Sequence, residues 1–300
     1  MPNYIPAPGQ QHALEAAIRL GQPLLLTGEP GTGKTEMARW ALDYLVAKNE
    51  APYWPEVLKF NTKTTSKASD LFYMYDALSH FQAANLRGER TVRTEEFIDL
   101  QPFGRAIAYS DPRPEFTEKF RLQLPDRPLH TIVLIDEVDK APRDFTNDLL
   151  DEIENYRFAV RELPGFQAKK GAQGNIVVIL TSNSEKNLPD AFLRRCAFFH
   201  LDFPKGERLR QIVQAHLGEP ATGLTARYEE LIELFEKTRD QSVRKKPATA
   251  ELIAWLKILG ADGYWEEPNA DKRQTLLQQA LPFLVKTKDD LEAVRGLFGG

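Results

Sequence analysis

Short apolar runs occupy residues 23–27, 57–60, 131–135, 175–180 and 198–203, each without polar alternation over its middle. Runs of that length and evenness read as strands covered on both faces. Helix-period patterns lie between and before them. Residues 10–20 carry Ala13, Leu14, Ala17 and Ile18 on one stripe, 35–47 carry Met37, Trp40, Ala41 and Leu45, and 145–156 carry Leu149, Leu150 and Ile153. Alternation of strand and helix predicts an α/β domain with a parallel sheet. Beyond Pro204 the strand signal stops. Helical patterns alone remain, over 207–217, 226–238, 249–258, 272–284 and 289–298. The expected division is therefore a core over 1–205 and a small helical domain over 206–300. Residues 82–128 are the least legible stretch: 103–109 reads as helical, the Pro-rich 111–116 as non-helical, and no role is assigned to the segment.

Composition narrows the class. Three hundred residues, 42% hydrophobic and 27% charged, suffice for one good core and a smaller attached domain. No stretch approaches the roughly 18 apolar residues of a membrane helix, and MPNYIPAPGQQ lacks the basic and apolar regions of a leader, so a cytoplasmic protein is expected. Cys196 is the only cysteine, which excludes an intrachain disulfide, and the five histidines are too scattered for a zinc site. Any metal must arrive with a ligand. A net charge of -4 gives no bulk attraction to nucleic acid, although Arg194 with Arg195, and Arg244 with Lys245 and Lys246, are local positive points.

Candidate chemistry begins at Gly28-Glu29-Pro30-Gly31-Thr32-Gly33-Lys34-Thr35, which fits G-x-x-x-x-G-K-[ST] after a buried strand and before an amphipathic helix. In such a P-loop the glycines let backbone N–H groups wrap phosphates and the helix start adds positive potential. Lys34 would reach the β- and γ-phosphates, and Thr35 would bind Mg²⁺. About 100 residues on, the strand at 131–135 ends in Asp136 and Glu137, as a Walker B element does. Asp136 is placed to hold Mg²⁺ and Glu137 to polarise the water that attacks the γ-phosphate. That acid pair separates hydrolysis from mere nucleotide holding.

The run at 175–180 continues into Thr181-Ser182-Asn183, putting Asn183 at the same sheet edge, within reach of a γ-phosphate or its attacking water; an Asn after a strand also simply forms turns. Leu188 to Cys196 reads LPDAFLRRC and offers Arg194 and Arg195 at the end of a short helix. A guanidinium supplied from outside a site neutralises charge that builds up in phosphoryl transfer; the plainer reading is a surface salt bridge.

The order of P-loop, D-E strand, S-N strand, L-P-D-A-F-L-R-R and a helical tail resembles the AAA+ ATPases, and the MoxR group within them, over residues 5–260. IDEVDKAPRDFTNDLLDEIEN at 135–155 and LPDAFLRRCAFFHLDFP at 188–204 carry the likeness most specifically. The resemblance implies a P-loop NTPase αβα core with strands in the order 5-1-4-3-2, followed by a helical lid. It implies ATP and Mg²⁺ as ligands and Asn183 as sensor 1. Arg195 falls where the family has its single arginine finger, with Arg194 as the alternative. It also implies a hairpin over 156–176, with Lys169-Lys170-Gly171 at a tip facing a ring's pore or as a plain exposed basic turn. A sensor 2 residue is sought within 242–251, where Arg244 is preferred because a guanidinium fork suits phosphate oxygens, with Lys245 and Lys246 as alternatives. Tyr4-Ile5-Pro6 and Gln10 stand where such proteins shape the adenine pocket, or form an ordinary packed strand.

The resemblance further implies an ATP-hydrolysing homo-oligomer, a hexameric ring, that remodels or matures a protein substrate together with a partner bearing a von Willebrand A domain. The chain itself offers no D-x-S-x-S stretch after an apolar strand. Two rivals stand beside this reading. A nucleic-acid motor would show salt-dependent retention on single-stranded DNA, and no basic, aromatic-interleaved stretch supports it. A nucleotide-regulated scaffold would bind ATP with negligible turnover, against which Glu137 argues.

Overall fold

The computed structural model describes residues 4–86, 92–184, 188–218 and 224–299. Helix α1 (Gln10–Leu20) leads into strand β1 (Leu24–Gly28), helix α2 (Lys34–Lys48) and strand β2 (Leu58–Asn61). An inserted unit follows: β3 (Tyr73–Tyr75), α3 (Ala77–Leu86), β4 (Ile98–Leu100), α4 (Pro102–Ser110) and α5 (Pro114–Phe120). The core resumes with β5 (Thr131–Asp136), α6 (Arg143–Asn155), the hairpin strands β6 (Arg157–Ala159) and β7 (Gln167–Lys169), β8 (Ile176–Ser182), α7 (Asp190–Leu193) and β9 (Ala197–Leu201). Among the described residues, five α-helices follow, α8 (Gly206–Leu217), α9 (Thr225–Gln241), α10 (Thr249–Ala261), α11 (Ala270–Leu284) and α12 (Lys288–Val294), and then a 3-10 turn over Arg295–Phe298.

The main sheet runs β2-β5-β8-β1-β9, every pair parallel. Counting only its own strands, that is 5-1-4-3-2 read from the β9 edge, the order of an AAA+ P-loop NTPase core. Strands β1, β5 and β8 are buried along their whole length, which is why they read as unbroken apolar runs. Alternate residues serve the two faces. Leu25, Val133, Ile135, Val178 and Leu180 pack against Phe103 and Ile107 of α4 and Phe145 and Leu149 of α6. Leu24, Leu26, Ile132, Leu134, Val177 and Ile179 pack against Leu14 of α1 and Met37, Ala38 and Ala41 of α2. Each such Leu, Ile, Val, Met or Phe side chain contributes about 1.5–3 kcal/mol by leaving water. Because all five strands are parallel, their C-terminal ends meet at one edge, where an open α/β sheet places its ligands. A third cluster, with Leu209, Phe235, Trp255, Leu284 and Phe298, belongs to the C-terminal helices.

Two local expectations are corrected. Residues 111–116 are not wholly irregular, because Pro114 opens α5 at a first-turn position, where its missing N–H is no loss. The hairpin over 156–176 is present, but Lys169-Lys170-Gly171 is not its tip. β6 pairs with β7 from Arg157↔Lys169 to Ala159↔Gln167, so the turn lies at 160–166, with Gly165 at φ 88°. The basic stretch sits at the hairpin's base: Gly171 N–H donates to Ser110 Oγ at 2.9 Å, and Lys170 Nζ donates to the carbonyls of Gly171 and Gly174. Among the described residues, no helix is long and apolar enough to cross a membrane.

Candidate functional site

The phosphate loop joins β1 to α2 in conformations that side chains resist. Gly28 has φ 141°, and a Cβ there would lie 2.4 Å from the Leu201 carbonyl oxygen. Gly31 has φ 78°, and its Cβ would meet that of Ala248 at 2.3 Å. Glycine at both positions lets the loop close against β9 on one side and the start of α10 on the other. Lys34 is almost fully buried, and its Nζ donates to the carbonyls of Gly28 and Glu29, both at 2.8 Å. Burial pushes its pKa below the ordinary lysine value, countered by the carboxylates of Asp139, Asp136, Glu137 and Glu29.

Across from the loop, Asp136 is gripped from three sides. Thr35 Oγ1 donates to its Oδ1 at 3.1 Å, Thr181 Oγ1 donates to the same oxygen at 2.5 Å, and Lys59 Nζ lies 2.7 Å from Oδ2. Burial alone would raise its pKa, but the bonds from Lys59 and Thr181 outweigh it and hold the carboxyl below its ordinary value. Two hard oxygens, Thr35 Oγ1 and Asp136 Oδ1, thus converge beside the loop, a donor set suited to a divalent hard cation. The buried Thr181 hydroxyl also accepts the Glu137 N–H at 2.9 Å, stitching the ends of β5 and β8 together.

That bond helps hold Glu137 in the left-handed region, at φ 59° and ψ 52°. The other described non-glycine residues with positive φ, Asn49, Arg121 and Tyr156, end helices, where the conformation is routine. Glu137 ends none, and strain held in place at a cleft is a mark of function. Its carboxylate accepts from Lys140 Nζ at 2.6 Å and from Asn183 Nδ2 at 3.4 Å. Asn183 is fixed in turn by its own N–H donating to Asp139 Oδ1 at 3.2 Å. The loop residues Pro30, Gly31, Gly33, Lys34 and Thr35, together with Asp136, Glu137, Thr181 and Asn183, line one cavity of about 350 Å³. Candidate residues more than 150 positions apart in sequence therefore face a single space, and they fit a nucleotide triphosphate with its cation.

The arginines are elsewhere. Arg194 and Arg195 are exposed at the end of α7, and neither is among the described residues that line this cavity. Arg195 Nε lies 3.5 Å from Glu154 Oε1, a pairing of two solvated groups. Nor does the structure bring Arg244 to the loop. Its exposed guanidinium lies 3.2 Å from Asp289, while the carboxylate of buried Asp290 accepts the N–H groups of Val243, Arg244 and Lys245 and pins the segment against α12. The residues of α10 that line the cavities at the loop are Thr249, Ala250 and Ile253, all uncharged.

A second cavity of about 200 Å³, lined mainly by apolar groups, adjoins the first. Tyr4, Ile5, Gly31, Gly33, Ile212 and Ile253 are among the residues that line it. Arg208 of α8 also lines it, and its Nη2 donates to the Ile5 carbonyl at 3.4 Å. Gln10 does not line it but holds Tyr4: its Nε2 donates to the Tyr4 hydroxyl at 2.6 Å, and its Oε1 accepts the Ala7 N–H at 2.7 Å. Burial pushes the Tyr4 pKa up to about 12. A small, mainly apolar cavity against the loop suits a nucleobase.

Sequence reasoning missed Lys59, Lys140, Thr181 and Arg239. Lys140 carried a usable signal, standing three residues after Glu137. Arg239 carried none: it reads as a basic residue in the last turn of a helix, yet it is buried and pairs with Glu29 inside the phosphate loop.

Residues 24–204 match the family described as the ATPase family associated with various cellular activities (AAA). Among solved structures, a chain of the HORMA:CdnC:Trip13 complex of E. coli MS115-1 is similar at 17% identity and a TM-score of 0.43, covering 89% of this chain and 76% of its own. A point variant of RuvB from Thermotoga maritima is similar at 14% identity and a TM-score of 0.45, over 90% of this chain. This chain spans 65% of that RuvB chain, just under two thirds. No curated protein matches the chain in sequence.

Proposed function

Because the chain belongs to the AAA family of ATPases, we propose that it is a Mg²⁺-dependent ATP hydrolase of MoxR type whose site is completed by a neighbouring copy in a ring. The observation that carries this is the meeting of Thr35, Asp136, Thr181, Glu137 and Asn183 in the cavity beside Lys34. In this reading the loop from Gly28 to Thr35, with Glu29, Pro30, Gly31, Thr32 and Gly33 between, wraps the phosphates. The base enters the cavity lined by Tyr4. Lys34 leaves the carbonyls of Gly28 and Glu29 for the β- and γ-phosphate oxygens. Thr35 and Asp136 would hold Mg²⁺, which when bound would supply positive charge to offset that of the phosphates. Glu137 accepts the proton of the attacking water, its carboxylate oriented by the bonds it accepts from Lys140 and Asn183. Arg195 of the next copy neutralises charge at the γ-phosphate. Residues 1–205 act as the ATPase core and 206–300 as its lid.

Lys34→Ala removes the one cation of the loop and with it a charge-assisted hydrogen bond. ATP affinity measured by titration calorimetry should fall by about 10- to 100-fold, the worth of about 1.5–3 kcal/mol. Undiminished affinity would place the phosphates elsewhere.

The product of the cycle is motion, which we assign to remodelling or maturation of another protein in the cytoplasm by a hexameric ring. A von Willebrand A domain partner would link that motion to the substrate, with nucleotide state setting its affinity. Glu137→Gln protein held in ATP should recover such a partner in a pull-down, and nucleotide-free protein should not. Recovery in neither state, from cells that encode one beside this gene, contradicts the assignment.

A further inference from the structure

The resemblance assigns the contact between lid and phosphates to an arginine, yet α10 presents only the uncharged Thr249, Ala250 and Ile253 to the cavities, and Ala248 packs on Gly31. A different lid arginine does touch the loop. Arg239, at the end of α9, is 6% exposed. Its guanidinium lies 3.5 Å over the ring of Phe203, donates to the Pro247 carbonyl at 2.7 Å and donates to the Glu29 carboxylate. A guanidinium keeps its charge at any working pH, so a buried one needs an anion, and removing that anion is strongly unfavourable.

Glu29 is held at both ends. Its carboxylate belongs to Arg239, while its backbone carbonyl accepts from Lys34 Nζ at 2.8 Å and from Thr32 Oγ1 at 2.9 Å. Lys34 is the residue that must leave that carbonyl when phosphate arrives. We propose that Arg239 is a positioning residue that senses the phosphate loop through Glu29, so that the shift of Lys34 onto nucleotide phosphates is passed to the lid. The relay runs from Lys34 to the Glu29 carbonyl, from the Glu29 carboxylate to Arg239, and from Arg239 to Pro247, which directly precedes the residue packed on Gly31. Glu29 cannot move away from the lid without leaving a buried charge unpaired, so loop and lid move together. This inference rests on the proposed ATPase reading and gives the lid response to ATP a residue pair.

The test uses the full chain, with spin labels on cysteines placed at the exposed positions Glu50 and Lys257, and the variants Glu29→Gln, Arg239→Met and their double. In the parent, ATP with Mg²⁺ should change the label distance, and in each variant that change should be lost. Turnover should fall about tenfold in each single variant, with the KM of Arg239→Met moving less than about threefold, and the double should be no slower than either single. A distance change that persists in Glu29→Gln, or a double variant about a hundredfold slower than the parent, overturns the relay. Glu29→Gln changes a half-exposed carboxylate, so the test survives if Arg239→Met does not fold. A parent that neither binds nor hydrolyses ATP would instead overturn the proposed function.

Discussion

Replacing Glu137 by glutamine should leave ATP and Mg²⁺ bound while slowing phosphate release by about 10²- to 10⁴-fold, the usual worth of a positioned general base. The substitution preserves shape. An amide can still face Asn183 at the position the carboxylate now holds, 3.4 Å away, and the backbone N–H can still donate to Thr181, so the left-handed turn at residue 137 survives. What is lost is the ability to take a proton. Lys140 loses its anionic partner as well, but that pair is largely solvated and contributes little on its own. Stopped phosphate release with retained nucleotide binding is therefore the signature to measure. A Glu137→Gln protein that turns over at the parent rate would mean that the base is another residue. The same variant should collect in its ATP-bound assembly, which makes it the form in which to size the oligomer.

Arg195→Ala should cost turnover by roughly 10³-fold, as loss of an arginine finger does, and leave nucleotide binding by a single copy nearly intact. Among the described residues, the ion-pair partner of Arg195 on its own chain is Glu154, a loose contact 3.5 Å away and exposed, so the side chain can reach across an interface. Arg194 is its neighbour and is also exposed. Arg194→Ala should therefore be the milder change, measured in the same phosphate-release assay. The reverse order would assign the finger to Arg194.

The sequence spoke most clearly where both faces of an element are covered. Strands β1, β5 and β8 carry unbroken apolar runs because two helical layers bury them, and so the sequence alone places the P-loop, the acid pair and Asn183 at strand ends. The unit between β2 and β5 was opaque for the opposite reason. β3 and β4 have three residues each, and β3 is nowhere fully buried, leaving no run long enough to show a period. At the hairpin, Lys169-Lys170-Gly171 has the composition of a turn, whereas the chain turns at 160–166 around Gly165 and the Gly171 N–H returns to Ser110 of α4. The choice of Arg244 followed charge type, which is visible in sequence. Burial of a lone arginine is not, and Asp290, which ties down residues 243–245, acts from 45 positions and more away. Lys59 escaped notice similarly. One exposed position on a short edge strand gives no hint that its ammonium will sit 2.7 Å from Asp136.

If each site is completed by a neighbouring copy, mixing two variants that are inactive alone should restore activity. Lys34→Ala protein keeps Arg195 but grips phosphate weakly, so it stays idle at ATP concentrations well below its raised Kd; Arg195→Ala protein keeps the grip and lacks the finger. Phosphate release is measured for each alone and for their mixture, with co-assembly checked by capturing one tagged variant and detecting the other. The mixture should recover part of the parent activity, because some interfaces then pair an intact P-loop with an intact Arg195. A mixture that co-assembles and yet stays as inactive as its components would contradict completion of the site by a neighbouring copy.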